Sequence, residues 1–341
     1  MSDKNSITPL NVDEIYTFFT GKSDDELKKL ASDLTLAVHG KDVLLRGLIE
    51  YSNYCTQDCL YCGIRAENDK ITRYRLNEEQ LLQLVNDGFA AGFRTFVLQG
   101  GEDPVFDVKT QCRIVEKIKT STNGECAVTL SSGMLKRDEL LQLKSAGADR
   151  YLLRFETSDE KNYSYLKCGE SLSKRLGMLS DLKELDYQVG SGFMTGLPGE
   201  TDEILIKNLQ ICSEFNFDMV GIGPFIPNPD TPLGNLTGEN INIALKCVSM
   251  LRLALPFAHI PATTAAGSID QTGREKMIEH GANVLMPNLT PVSVKANYLL
   301  YPGKICLDES GQQCVGCMSL RMKSIGRNIS FNRGDALRLN H

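Results

Sequence analysis

Cys55, Cys59 and Cys62 stand in the run Tyr54-Cys55-Thr56-Gln57-Asp58-Cys59-Leu60-Tyr61-Cys62, just after an apolar stretch from Val43 to Ile49. This C-x3-C-x2-C spacing gathers three thiolates on one short loop. A [4Fe–4S] cluster takes four ligands, usually cysteine thiolates, so three leave one iron open to a bidentate small molecule. The competing chemistry is a zinc knuckle or unrelated free thiols. Zinc wants a fourth Cys or His close by, and the nearest histidine, His39, lies before the apolar stretch. A second group, Cys306-x7-Cys314-x2-Cys317, comes late in the chain. Its thiolates can carry another iron–sulfur cluster, a [2Fe–2S] centre with a non-protein fourth ligand, or form an adventitious metal site. Cys112, Cys126, Cys212 and Cys247 fall inside helix or strand patterns and read as small buried residues.

Such loops need a scaffold, and the chain repeats one supersecondary unit. Ala90-Ala91-Gly92-Phe93 precedes Thr95-Phe96-Val97-Leu98, Ser145-Ala146-Gly147-Ala148 precedes Arg150-Tyr151-Leu152-Leu153, and His280-Gly281-Ala282 precedes Asn283-Val284-Leu285-Met286. In each, an amphipathic helix stops at a glycine suited to a left-handed cap and a short apolar strand follows. Strands without polar alternation argue for a parallel sheet covered by helices. Eight are expected, near Leu44–Ile49, Thr95–Gln99, Ala127–Ser131, Arg150–Arg154, Gln188–Met194, Met219–Ile222, His259–Ala262 and Asn283–Met286. Asn77 and Gln80 suggest a capping box on the first intervening helix. Eight β/α units predict an α/β fold, a (β/α)8 TIM barrel. Two helices, Val12–Phe19 and Asp24–Val38, are expected to cap its bottom, dividing the chain into a helical cap (1–40) and a barrel with a cysteine-containing C-terminal segment (41–341).

The 341 residues suit one such barrel, and no Pro-, Gly- or Ser-rich linker divides them. A net charge of −6 offers no basic face for nucleic acid or an anionic membrane. The first residues, Met1 to Asn5, lack a signal peptide's apolar core, and no run reaches a membrane span's length. Eleven cysteines in so large a chain read as reduced thiols and metal ligands, and a cytoplasmic, reducing location is expected.

In a barrel of this type chemistry sits at the C-terminal strand ends, and unusual residues collect there. Gly100, Gly101 and Glu102 follow the second strand and Ser131 ends the third. Arg154 and Glu156 end the fourth, where an arginine can hold a carboxylate bidentately. The plainer alternative is an Arg–Glu pair inside the mouth. Arg175 lies on the next helix, where an arginine is usually solvated. Gly221-Ile222-Gly223-Pro224 offers bare backbone, Thr263 and Thr264 offer adjacent hydroxyls, and Met286 ends the eighth strand.

The cysteine loop resembles the signature of the radical S-adenosylmethionine (SAM) enzymes. The resemblance implies that SAM is the bidentate ligand and that its cleavage yields a 5′-deoxyadenosyl radical. It also implies that backbone at Gly100–Glu102 receives the SAM ammonium. Longer strings are similar to the HydE-like maturases of [FeFe]-hydrogenase: Cys59-Leu60-Tyr61-Cys62-Gly63, Gly101-Glu102-Asp103-Pro104, Gly147 to Arg154, Asp218 to Pro227, Ile260 to Thr264 and Leu300 to Cys306. That resemblance spans roughly Val43 to Cys317. It implies that Ser131, Glu156 and Arg175 contact SAM, with Tyr61 and Ile222 near its adenine. Arg150, Arg154, Thr263, Thr264, Met286, Tyr298 and Tyr301 would line a cavity for a cysteine-bound iron carrying CO and cyanide. A low-potential electron donor and the other hydrogenase maturases would be partners. Biotin synthase and methylornithine synthase, which share the radical chemistry, are the alternative class, and a non-enzymatic cluster carrier a third. Two residues depart from the family pattern: Phe155 stands where a histidine is expected, and Cys168-Gly169 where a proline often follows a basic residue.

Overall fold

Short apolar runs, each followed by an amphipathic helix, build a ring of parallel strands wrapped by helices. The structure, a computed structural model, describes residues 7–238 and 241–337, so the outermost residues of both expected divisions, 1–6 and 338–341, lie outside the described residues. The strands are β1 (Asp42–Leu45), β2 (Gly47–Ser52), β3 (Thr95–Gly100), β4 (Ala127–Ser131), β5 (Arg150–Leu152), β6 (Gln188–Ser191), β7 (Met194–Thr195), β8 (Met219–Val220), β9 (Gly223–Pro224), β10 (Val284–Leu285) and β11 (Asn328–Ser330). The helices are α1 (Val12–Gly21), α2 (Asp24–His39), α3 (Glu78–Ala90), α4 (Val108–Ser121), α5 (Arg137–Ser145), α6 (Glu160–Leu166), α7 (Leu172–Glu184), α8 (Asp202–Phe215), α9 (Asn242–Ala254), α10 (Thr264–Ile269), α11 (Gly273–Glu279), α12 (Val292–Lys295) and α13 (Gly311–Ser324).

β2, β3, β4, β5, β6 and β8 pair in that order, all parallel. From β8 the ladder continues through the bridges Met219–His259 and Pro261–Val284. β10 then pairs with β1, which runs into β2 after Arg46. The ring returns to its start, as the expected barrel requires. Its seventh member, expected over His259–Ala262, is reduced to those bridges and bonds such as Ala262 N–H to Val284 O at 2.8 Å. The fifth, expected over Gln188–Met194, breaks into β6 and β7 at Gly192. There φ is 146° and a Cβ would lie 2.0 Å from Gly221 O, an approach only glycine admits. Phe96, Leu98, Val128, Leu130 and Tyr151 are buried in the main hydrophobic core between ring and helices. Each such burial stabilises the fold by roughly 1.5–3 kcal/mol.

Helix starts follow their side chains. Asn77 with Gln80 forms the expected capping box on α3, and Asn11 with Glu14 and Ser23 with Glu26 do the same for α1 and α2. The two N-terminal helices pack on the barrel's flank, α1 against α8 and α9, α2 against α9. Only the end of α2 reaches the floor, where the His39 ring lies 5.7 Å from that of His259.

The floor is sealed instead by the segment after β11. Thr95, which opens β3, donates to Arg333 O at 2.7 Å. Arg150, which opens β5, donates to Arg333 O, Gly334 O and Asp335 Oδ1 at 2.9, 3.0 and 2.9 Å. Gln188, which opens β6, donates to Asp335 Oδ1 at 3.0 Å. Arg150 is therefore a correction to the substrate set expected from sequence. It stands at the N-terminal strand end, opposite the mouth, and is fully buried as the anchor of this segment.

Candidate active site

The cysteine loop leaves β2 at Ser52 and is stapled from several sides. Arg73 donates to the carbonyls of Asn53, Ile64, Arg65 and Asn68, gathering the chain on both sides of the cysteines. Asp103 accepts from Ser52 Oγ at 2.6 Å and from both arms of Arg75 at 2.7 and 3.0 Å, while Arg75 stacks 3.5 Å over the Tyr54 ring. Burial opposes the charge of Asp103, but Arg75 and Ser52 hold its carboxyl below the usual range. Beside this pair Gly101 passes so close to the loop that a Cβ would lie 2.1 Å from Tyr54 O. Thr56 N–H donates to Glu102 O at 3.0 Å and Gln57 Nε2 to Glu102 Oε2 at 2.9 Å. The glycine-rich turn and the cysteine loop thus form one wall.

Cys59 is buried; Cys55 and Cys62 are partly so. Cys55 Sγ accepts from the N–H groups of Gln57 and Glu102, both at 3.4 Å. Burial pushes its thiol up all the same, and pushes Cys62 up to about 12 with the neighbouring Cys59 adding to the effect. Burial thus disfavours the charged forms of Cys55 and Cys62, and with Cys59 between them the loop is a donor set that needs a cation.

Above this wall lies a cavity of about 340 Å³. Cys55, Cys59, Cys62, Tyr61, Gly100, Gly101, Glu102, Ser131, Glu156 and Arg175 line it, and so do Arg154, Thr263, Thr264, Tyr298 and Tyr301. Arg154 Nη2 lies 3.2 Å from Glu156 Oε2 and donates to Phe193 O at 2.6 Å. Glu156 takes a left-handed φ of 66°, strain for a non-glycine residue. Apart from the ion-pair approach of Arg154 Nη2, its Oε2 is buried with no hydrogen-bond partner among the described residues, and so is Arg154 Nε. Both can serve an incoming polar molecule. Arg175 is not the solvated helical arginine of the plainer reading: it is buried, bonded to Tyr163 Oη and, at 3.2 Å, to Arg154 O.

The sequence matches the Radical SAM superfamily over residues 49–212. It is 43% identical to the [FeFe] hydrogenase maturase subunit HydE of Thermotoga maritima, across 93% of this chain and 90% of that one. The chain is a radical SAM enzyme. It is also 31% identical to 3-methylornithine synthase of Methanosarcina acetivorans, over 85% of this chain and 83% of that one. The crystal structure of methylornithine synthase (PylB) superposes with a TM-score of 0.81 at 27% identity, covering 95% of each chain. Radical SAM enzymes use a [4Fe–4S] cluster and SAM, and the three clustered thiols, the glycine turn and the Arg154–Glu156 pair on the cavity wall fit that pair of cofactors.

Three expected residues fall outside the cavity of this radical SAM enzyme. Ile222 is buried behind it, and Gly223, Pro224 and Phe225 form the wall at that point. Met286 does not line it, and Arg150 is at the floor. The departure at Phe155 is also removed from it: the ring is fully buried against Phe193, at 6.0 Å between centroids. Lys167 is the residue sequence reasoning missed. Its Nζ lies 3.2 Å from Cys59 Sγ. Burial and Arg175 oppose its charge, yet Cys59 and Glu156 hold its pKa above the ordinary lysine value. Its only sequence signal was a basic residue just before Cys168-Gly169. Gln57 and Gln99 were also missed; Gln99 Nε2 donates to Tyr298 Oη at 3.3 Å.

The second cysteine group lies apart. Cys306, Glu309 and Cys314 bring donor atoms within 4.8 Å of one another, while Cys317, one turn further along α13, is exposed. The Cys306 thiol is held down by its hydrogen bond with Cys314, whose own thiol is pushed up by the same bond. Glu309 was absent from the expected set.

Proposed function

We propose that this radical SAM enzyme is a HydE-type maturase. Its substrate is a cysteine-bound Fe(CO)2(CN) unit on the way to the di-iron subcluster of [FeFe]-hydrogenase. The observation that carries this is one chamber with a three-thiol wall and, facing it, a cation and hydroxyls (Arg154, Thr263, Thr264, Tyr298, Tyr301) suited to a carboxylate and cyanide. The likeness to a protein named as a HydE subunit, extending over nearly the whole of both chains, supports it. When bound, the cluster supplies one electron and SAM supplies the 5′-deoxyadenosyl group. The residues bind and orient. Glu156 accepts the ribose hydroxyls, Ser131 and Arg175 hold the polar end of SAM, backbone at Gly100–Glu102 receives its ammonium, and Tyr61 and Gly223–Phe225 flank the adenine. A low-potential electron donor and the other maturases are its partners, the cytoplasm its location, and 41–341 its barrel domain. The second group, Cys306, Cys314 and Cys317, serves either an accessory [2Fe–2S] centre or an adventitious metal, with Glu309 rather than Cys317 brought close to the first two thiols.

The similarity to methylornithine synthase favours a second reading, a small amino-acid substrate taken by the same arginine and hydroxyls. Deleting the gene in a host that makes [FeFe]-hydrogenase separates the two. Loss of hydrogenase activity, restored by the gene, is expected; unchanged activity rejects the maturase reading. Protein reconstituted anaerobically and reduced with dithionite should release 5′-deoxyadenosine from SAM. No release would leave a cluster carrier.

A further inference from the structure

Helix α6 ends against the cysteine loop, and three successive residues grip it. Leu60 N–H donates to Leu166 O at 2.9 Å. Lys167 Nζ lies 3.2 Å from Cys59 Sγ. The Cys168 thiol donates to Asp58 O at 3.0 Å. The chain then turns sharply: Cys168 and Gly169 take left-handed φ values of 52° and 93°, and Gly169 N–H closes on Ser164 O at 2.8 Å. Proline, locked near φ −65°, cannot stand at position 168 in this turn. The Cys-Gly pair thus closes α6 directly after Lys167, whose ammonium lies against the cysteine loop.

We propose that Lys167 is a positioning residue for the iron–sulfur centre, placing a buried cation on its Cys59 ligand so that the reduced form is favoured. The inference rests on the reading that Cys55, Cys59 and Cys62 hold a [4Fe–4S] cluster. Three thiolates make that centre anionic, and one added electron makes it more so. A fixed ammonium attracts the more negative state more strongly, and a hydrogen bond to the sulfur draws density off the ligand. Both raise the midpoint potential. With the Lys167 side chain buried, water screens little of the effect. The lysine undergoes no chemical change; the electron comes from the external donor and resides on the centre.

The test is a redox titration, followed by electron paramagnetic resonance without SAM, of anaerobically reconstituted protein. Wild type, K167R, K167M and K167Q are compared at equal iron and sulfide content, and G169A serves as a variant that keeps the lysine but strains the turn. K167M and K167Q should shift the midpoint to more negative potential, K167R should stay near wild type, and G169A should shift in the same direction by less. A fully loaded K167M or K167Q at the wild-type potential overturns the proposal. So does loss of the centre in both with retention in K167R, which would make the residue a holding group. Wild-type protein that takes up no cluster would overturn the functional reading instead.

Discussion

At the scale of single residues the site is a set of charges and thiols that burial makes costly until a partner arrives. Cys62 shows this most directly, its thiol pushed up by burial with Cys59 beside it. Cys59→Ser removes one thiolate and opens a second iron, so 5′-deoxyadenosine should fall to background on reconstituted protein. Retained cleavage would contradict the ligand assignment. Changing Cys314 and Cys317 together to Ser should leave cleavage within about twofold, because their small pocket shares no lining residue with the chamber (a twofold change is only ~0.4 kcal/mol). A larger loss would make the second site essential. The cysteine triad was legible because three ligands sit within eight residues. Lys167 was not. It reaches Cys59 across 108 positions from the end of α6, and no local spacing records such a contact.

At the scale of elements the barrel separates chemistry from support by strand direction. Arg150 and Arg154 flank the same short strand, and similarity to a family had placed both in the substrate cavity. Order along the strand already distinguishes them: the first residue of β5 must face the floor, and what lies past its end reaches the mouth. The partner of Arg150 could not be read, because Asp335 lies in an irregular segment docked by tertiary contact alone. Asp335→Ala should therefore leave the fully buried guanidinium without its ion pair at 2.9 Å. Because the carboxylate is itself 47% exposed, the cost is discounted to about 1–2 kcal/mol from the values for fully buried pairs. Denaturant unfolding should show that loss, while SAM cleavage per folded protein stays unchanged. A cleavage defect without a stability defect would refute this division between the ends. The broken strands have a comparable origin. Gly192 reads as an ordinary strand residue until the approach of Gly221 shows why the chain must part there.

At the scale of the whole molecule, burial of histidines in the supporting layers sets how stability responds to acid. His280 sits between α9 and α11, its Nδ1 2.9 Å from Ser249 Oγ, and burial, with Lys28 also opposing the charge, pushes its pKa down to about 4. His259, at the floor, is depressed by burial and by Arg46. In the unfolded chain both titrate near 6.5. As pH falls from about 6.5 toward 4, the unfolded chain binds protons that the folded one refuses, so stability present above 6.5 is progressively lost. For His280 alone the loss is on the order of 1–3 kcal/mol. The carboxylates act lower. Asp335, against the cost of burial, is held at about 2 by Gln188 and Arg150, and Asp103 is likewise lowered, so their contribution drains away only below about 3.9. Acid unfolding should therefore show two windows. His280→Gln, which keeps a partner for Ser249 but cannot take up a proton, should flatten the slope of the unfolding midpoint between pH 6.5 and 4. The window below should remain as it is, and an unaltered upper slope in the variant would remove His280 from the account.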